Sequence, residues 1–248
     1  MPAIPAWPPK SAPRLFVAGP LSAGAALCLE GPQAHYLTKV MRLSVGDAVF
    51  LCDDMTGEWL ARVTECGKRD IILVAETLTR PREEVPDFTL CAALLKKPHF
   101  DLVLEKATEL GAARVLPVIT RRCVADKLNA ERARAIVTEA AEQCARTALP
   151  QVAEPVKLEA LLKDWDAKRA LFFADETGGE PAAAAFAAIK GPAAVLIGPE
   201  GGFDQGERAA IRALHQAHPI SLGPRILRGE TAAIAATALW MAVCGDWK

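Results

Sequence analysis

The sequence predicts an α/β protein in two parts, a small all-β module followed by a larger domain in which strands and helices alternate around a parallel sheet. Three observations lead there. Between Arg14 and about Arg80, short apolar runs are separated by turn signals, the pattern of a small β-barrel. Beyond residue 88, apolar runs of strand length alternate with helical stretches, as in a parallel sheet covered on both faces. Near the C-terminus, two strands break into long Gly/Pro loops before a helix. Two such loops on neighbouring strands would line a crevice of the kind in which open α/β sheets bind ligands.

The elements follow in order. Residues 1–13 carry five prolines and read as a disordered arm. In the module spanning 14–80, strands are expected over Arg14 to Val17, Ala48 to Cys52, Trp59 to Val63 and Ile71 to Ala75, with a helical turn around Pro32 to Met41. Residues 81–88, opening Pro81-Arg82-Glu83-Glu84-Val85-Pro86, have linker composition. In the domain spanning 89–248, strands are expected near 89–95, 114–119, 170–174, 193–198 and 219–222. Helices are expected near 99–110, 130–147, 181–189, 205–216 and 230–244, with Gly111 and Pro150 as stop signals.

Composition narrows the class. Hydrophobic residues make up 51% of the chain, ample for a core, yet no apolar run is long enough for a membrane span and the N-terminus is not signal-like. Seven cysteines without a Cys-x-x-Cys pair read as reduced thiols in a cytoplasmic protein. His215 and His218 lack neighbouring cysteines, so no metal site is expected. The net charge is −1, but residues 91–150 hold ten Lys and Arg against seven Asp and Glu. An RNA contact would therefore need a local patch, with Lys96, Lys97, Arg121, Arg122 and Lys127 as candidates, and a mixed solvated surface as the alternative.

The two loops carry the most information. Val195 to Ile197 reads as a buried strand, Gly198-Pro199-Glu200-Gly201-Gly202 as its turn, and Gln205 to His215 as the next helix. Ile220-Ser221-Leu222 reads as the second strand, Gly223 to Glu230 as its loop, and Thr231 to Val243 as an Ala-rich helix. A phosphate loop would need Lys after Gly206, where Glu207 stands, and no Gly-x-Gly-x-x-Gly follows either strand. Glu200 would repel a pyrophosphate. A neutral or cationic ligand recognised by backbone groups fits better.

These residues carry a resemblance. Gly198-Pro199-Glu200-Gly201-Gly202-Phe203, with Leu222-Gly223-Pro224-Arg225-Ile226-Leu227-Arg228 and Glu230-Thr231-Ala232, resembles the RsmE family of SPOUT-class methyltransferases. Further matches are Glu105-Lys106-Ala107-Thr108-Glu109-Leu110-Gly111, Glu139 to Arg146, and His35-Tyr36-Leu37 with Val40-Met41-Arg42-Leu43. The resemblance implies a PUA-like RNA-binding barrel, and a C-terminal domain tied in a trefoil knot that ordinary connection rules would exclude. It implies methylation of N3 of a uridine in 16S ribosomal RNA (uridine 1498 in conventional numbering), with S-adenosyl-L-methionine (SAM) as cofactor and a homodimer as the working form. Gly229 and Cys123 depart from the commonest family pattern, and Gly229 would loosen its loop.

On that resemblance the cofactor residues are Leu196, Ile197, Gly198, Pro199, Glu200, Gly201 and Gly202 with Leu222, Gly223, Ile226, Leu227, Arg228 and Thr231. The implied RNA contacts are Arg14, His35 and Arg42 in the barrel, and Lys106, Arg122, Gln143 and Arg146 beyond it. Glu139, Glu142, Gln143 and Arg146 fall at i, i+3, i+4 and i+7 of one helix, so they share a face; it lines the cleft, or Glu142 merely pairs with Arg146 in solvent. The target nitrogen holds a proton, so chemistry needs a base or a cation that stabilises the uridine anion. Glu200 and Glu230 are candidate bases and Arg228 the candidate cation, although an Arg–Glu pair could instead be structural. Two other functions remain open: a non-catalytic RNA-binding or ribosome-assembly protein, and a methyltransferase for a ribose 2′-hydroxyl or tRNA.

Overall fold

The computed structural model describes residues 12–247, in two compact units. The first comprises residues up to Glu84 together with Ala141–Ala148, and the second comprises Val85–Ala140 and the chain from Leu149 on. Apart from its last two residues, the Pro-rich arm expected over 1–13 lies outside the described residues. Pro13 is not loose: its carbonyl accepts the Phe50 N–H at 2.8 Å.

The first unit is a five-stranded sheet built from β1 (Arg14–Phe16), β2 (Ala26–Glu30), β3 (Ala48–Cys52), β4 (Gly57–Cys66) and β5 (Asp70–Pro81), in the order β1-β3-β4-β5-β2. Its pairings are antiparallel except β1 with β3. Alternate residues Val49 and Leu51, Ala61 and Val63, Ile71 and Leu73 point into the core and are fully buried, as the period of two requires. Three register shifts along β4 and β5 curl the sheet. A short helix α1 (Gly31–His35) runs into a π-helical turn (Tyr36–Val40), which buries Ala34 and Leu37. β2 has no counterpart among the strands expected from sequence, because its burial pattern is largely exposed and leaves little apolar signal.

One buried carboxylate ties this unit together. Glu58 accepts hydrogen bonds from Arg14 Nε at 2.6 Å, Arg80 Nη2 at 2.8 Å and the Thr79 hydroxyl at 3.0 Å. Burial would raise its pKa, but these donors win and hold the carboxyl below its ordinary value. Arg14, expected to contact RNA, is thus committed to the interior. The helix expected over 130–147 is α3, Ala130–Cys144, and it stops there because Ala145 adopts a left-handed φ of 61°. Arg146 therefore leaves the shared polar face: it is buried, and its Nε bonds Glu83 Oε1 at 3.1 Å. Glu142 accepts the Phe16 N–H at 2.8 Å, so both residues brace this unit.

The second unit is a wholly parallel sheet. Its strands are β6 (Phe88–Ala93), β7 (Arg114–Ile119), β8 (Gln151–Val152), β9 (Val156–Lys157), β10 (Ala170–Ala174), β11 (Glu180–Pro181), β12 (Ala193–Ile197) and β13 (Ala217–Ser221). The order is β11-β13-β10-β12-β6-β7-β8, with β9 also on β7. Every residue of β6 and β12 is buried, which explains their unbroken apolar runs. Leu90, Phe172, Val195 and Ile197 face one core, filled by α2 (Lys97–Glu109), α3, α5 (Ala182–Ala188) and α7 (Gly229–Val243). Cys91, Leu171, Phe173 and Leu196 face the other, covered by α4 (Leu158–Lys163) and α6 (Gln205–Ala213). Phe88 stacks on Trp240 with ring centroids 4.6 Å apart.

The expected strands and helices of this unit are present, with boundaries shifted by a few residues. α6 ends at Ala213 because Leu214 is extended, and α7 begins at Gly229, one or two residues earlier than expected. β8, β9, β11 and α4 are too short to carry a periodic signal. β5 runs into the expected linker as far as Pro81.

Glu58→Gln keeps the Thr79 contact but strips the charge that neutralises two guanidinium groups. The expected cost is about 2 kcal/mol, below the usual figure for a buried pair because Arg80 is half in water. Because the folded pKa is depressed, this contribution is complete above the unfolded carboxyl pKa and disappears as pH falls through the folded value. Urea denaturation should show a constant gap between variant and parent at neutral pH that closes in strong acid.

Candidate active site

Parallel strands all end on one side, so β12, β10 and β13, adjacent in that order reversed along the sheet, deliver their loops to a common place. The strands carrying the two Gly/Pro loops are therefore not neighbours, as the sequence suggests: β10 lies between them and contributes a third loop. Together the loops line a cavity of about 280 Å³.

The first loop leaves β12 at Ile197. Gly202 has φ 67° and its N–H closes a turn onto the Pro199 carbonyl at 2.9 Å. A Cβ on Gly202 would lie 2.7 Å from Glu176 Oε1, and one on Gly198 would lie 3.1 Å from the buried Phe203 ring. Behind the loop, Arg122 Nη1 donates to the Gly201 carbonyl at 2.6 Å. The loop exits into a capping box: Asp204 Oδ1 accepts the Glu207 N–H at 2.7 Å, and Glu207 returns the bond at 3.0 Å. Arg121 clamps the same turn through Asp204 at 2.9 Å and its own N–H to Glu207 at 2.7 Å. Arg121 and Arg122, grouped by sequence into a basic RNA patch, hold this loop instead.

The second loop leaves β13 at Ser221, turns at Gly223 (φ 105°) and enters α7 with Arg228 as the N-cap residue. Gly229 is the first helical residue, and a Cβ there would meet Leu95 at 3.1 Å. It is buried and helical, so the loosening expected of it does not occur. The third loop follows β10. Asp175 is buried, accepting the Thr177 N–H at 2.9 Å, the Thr177 hydroxyl at 2.7 Å and Arg212 Nη2 at 2.7 Å. Burial pushes its pKa up, yet these donors and the nearby Arg208 outweigh burial and leave it lowered. Glu176 takes Arg208 Nη2 at 2.9 Å, while Arg208 Nε is buried and has no hydrogen-bond partner among the described residues.

The structure sorts the sequence candidates. Ile197, Gly198, Pro199 and Gly202 line the cavity, as do Leu222, Gly223, Ile226 and Leu227. Leu196 points into the opposite core, and Glu200, Gly201, Arg228 and Thr231 are exposed beside the cavity's loops without lining it. Glu230 is buried and bonded to His99 Nδ1 at 3.0 Å. Lys106 is engaged by Glu105 and Glu109 on α2, at 2.7 and 2.8 Å. His35, Arg42 and Gln143 are exposed. Sequence reading missed Asp175, Glu176 and Arg208. The signal available was the Asp175-Glu176-Thr177-Gly178-Gly179 turn directly after an apolar strand. Among the described residues, no cluster of three His, Cys, Asp or Glu could hold a metal ion, and no helix is long and apolar enough to cross a membrane.

A cavity walled by backbone loops at the carboxyl ends of parallel strands defines a small-molecule-binding α/β domain, here joined to a small β unit. Residues 81–241 match the RNA methyltransferase domain, and residues 29–76 the RNA methyltransferase PUA domain. Two relatives named ribosomal RNA small subunit methyltransferase E are similar over most of the chain. That of Synechocystis is 34% identical over 91% of this chain and 76% of its own length; that of Rickettsia conorii is 32% identical over 82% and 84%. The chain belongs to this methyltransferase family. The crystal structure of the Neisseria gonorrhoeae ribosomal RNA small subunit methyltransferase E, bound to S-adenosyl methionine, superposes with a TM-score of 0.85 at 25% identity, over 96% of this chain and all (100%) of that one. A Legionella pneumophila methyltransferase structure with bound SAM gives 0.84 at 26% identity, over 95% and 99%.

Gly202→Val forces a β-branched residue into a left-handed conformation and drives it against Glu176, at an expected cost of about 2 kcal/mol. Gly201→Val should cost clearly less, since its Cβ would meet only the flexible Arg122 side chain, at 3.3 Å. Urea denaturation of the two variants side by side checks the ranking.

Proposed function

We propose that this chain uses SAM to methylate N3 of a uridine in 16S ribosomal RNA of the small ribosomal subunit. The observation that carries the reading is the three-loop cavity, together with the SAM-bound relatives that share the fold. The residues present suit the cofactor. Gly198 and Gly202 let the first loop pack closely on Phe203 and Glu176, which line the cavity with it, and the cavity is near the lower size limit of small-molecule sites, about 300 Å³. Ile197, Leu222, Leu227 and Ala232 offer apolar walls for a nucleoside base. Arg208 Nε is buried and makes no hydrogen bond, facing Asp175 Oδ1 at 3.4 Å, so it keeps a donor for a ligand oxygen. When bound, SAM supplies an electrophilic methyl group on a sulfonium.

The chain's own contribution is placement and charge. Glu200 is exposed on the first loop, available to take the N3 proton, whereas Glu230 is occupied by His99. Arg228 is exposed at the N-terminus of α7, where the helix's free amides add to its field. There it stabilises negative charge growing on the uracil oxygens as the proton leaves. A homodimer in the cytoplasm belongs to the same reading. The trefoil knot implied by the family resemblance belongs to it as well.

N3 methylation removes the imino proton that pairs in a Watson–Crick helix, so reverse transcription across the target should stop. Small subunits from cells lacking this protein should give read-through, and adding purified protein with SAM should restore the stop. A 2′-O-methyl product, or none, would overturn the reading. Arg228→Ala should lower single-turnover kcat by about 10²-fold with calorimetric SAM affinity little changed. Arg228→Lys should rescue only partly, because the planar fork is lost. Equal losses of rate and cofactor affinity would make Arg228 a scaffold residue.

A further inference from the structure

We infer that the first unit grips the RNA backbone in a groove between α1 with its π-helical extension and the β4–β5 turn, through Lys39, Lys68 and Arg69 with His35 beside them. This rests on the reading of an RNA substrate and deepens it by locating a phosphate seat. The groove encloses about 460 Å³. α1 packs on β2 and β5, and the Gly67 N–H closes the hairpin onto the Asp70 carbonyl at 3.1 Å, so residues from two distant stretches share one wall. Lys39, Lys68, Arg69 and His35 are all exposed. Among the described residues, none of the three permanent cations is paired with a carboxylate.

The charge distribution singles this place out. Through residue 80 the chain carries eight Lys and Arg and eight Asp and Glu, which suggests a neutral module. Pairing keeps the balance but decides where cations stay free. Asp53 is enclosed by the Leu21, Met55 and Thr56 N–H groups, and Glu58 takes both Arg14 and Arg80. Arg62 is held by the exposed Glu76 at 2.6 Å. With Arg14, Arg62 and Arg80 spent in this way, the cations in ion pairs with no carboxylate among the described residues of this stretch are those of the groove and the adjacent exposed Arg42. Arg14, by contrast, has no charge to offer a ligand.

The groove also bears two acids, Glu30 and Asp70, which face each other across the β2–β5 pair. They place negative charge beside the cations, Asp70 directly after Arg69. A single free anion gains little there. A strand carrying successive phosphates can reach Lys39, Lys68 and Arg69 at separate points, and it gains entropy from each counterion released. The arrangement therefore favours a polyanion over inorganic phosphate.

The test uses the full chain with the double substitution Lys68→Glu and Arg69→Glu, both exposed in the turn between β4 and β5. Binding to a fragment of small-subunit RNA is followed by fluorescence anisotropy over a series of salt concentrations. Affinity should fall about tenfold or more, and the slope of log K against log salt should shrink by about two, one for each phosphate contact removed. KM for the small subunit should rise while kcat and calorimetric SAM binding stay put. The neutral pair Lys68→Gln and Arg69→Gln should change affinity in the same direction, by less. Inorganic phosphate at equal ionic strength should not compete better than chloride. If the double variant keeps parental affinity and slope while the parent binds and methylates normally, the groove is wrong and the enzyme reading stands. If the parent itself binds no ribosomal RNA, both fall.

Discussion

In a parallel sheet every strand delivers its carboxyl end to the same edge, and the rest of this molecule's larger unit depends on that. β12, β10 and β13 carry the three loops that wall the cavity, and the order in which they lie brings together segments far apart in the chain. Full burial of β6 and β12 fixes the edge rigidly, because any shift would expose Leu90, Val195 or Ile197 to water or open a gap under α7. The loops can then be irregular. Their left-handed glycines, buried Asp175 and capping box are tolerated because the strands beneath them cannot move.

A second theme is how arginines are spent. Arg14, Arg121, Arg122 and Arg146 all look like candidates for binding a polyanion, and all four hold protein groups. The reason is physical. A buried carboxylate such as Glu58 or a carbonyl at a loop crest needs a donor, and a planar guanidinium supplies several in fixed geometry. Among the described residues, the exposed cations in no ion pair include Arg228 at a helix end and the Lys68–Arg69 pair on a turn.

Much of the fold was legible in the sequence, because buried parallel strands and amphipathic helices leave periodic signals. The two Gly/Pro loops were legible for the same reason, since only special backbone geometry calls for such residues after a strand. What stayed hidden had no local signature. β2 is mostly exposed, and β8, β9 and β11 are two-residue pairings that exist only because a neighbour supplies the ladder. Asp175 and Glu176 matter through sheet order, which residue spacing does not encode. Arg146 was misplaced because helical spacing was carried one turn too far, past Ala145, where φ becomes positive.

The first unit is not a continuous piece of chain. Residues 141–148 complete it, with Glu142 on the Phe16 amide and Arg146 and the Thr147 hydroxyl on Glu83. During synthesis the N-terminal strands therefore emerge well before the segment that finishes their unit. At ordinary elongation rates of about 5–20 residues per second, that interval is on the order of 3–13 s. Throughout it the Phe16 amide and the Glu83 carboxylate must make do with water. The N-terminal unit matures only after a good part of the methyltransferase domain has left the ribosome, so the order of the chain and the order of its folding differ.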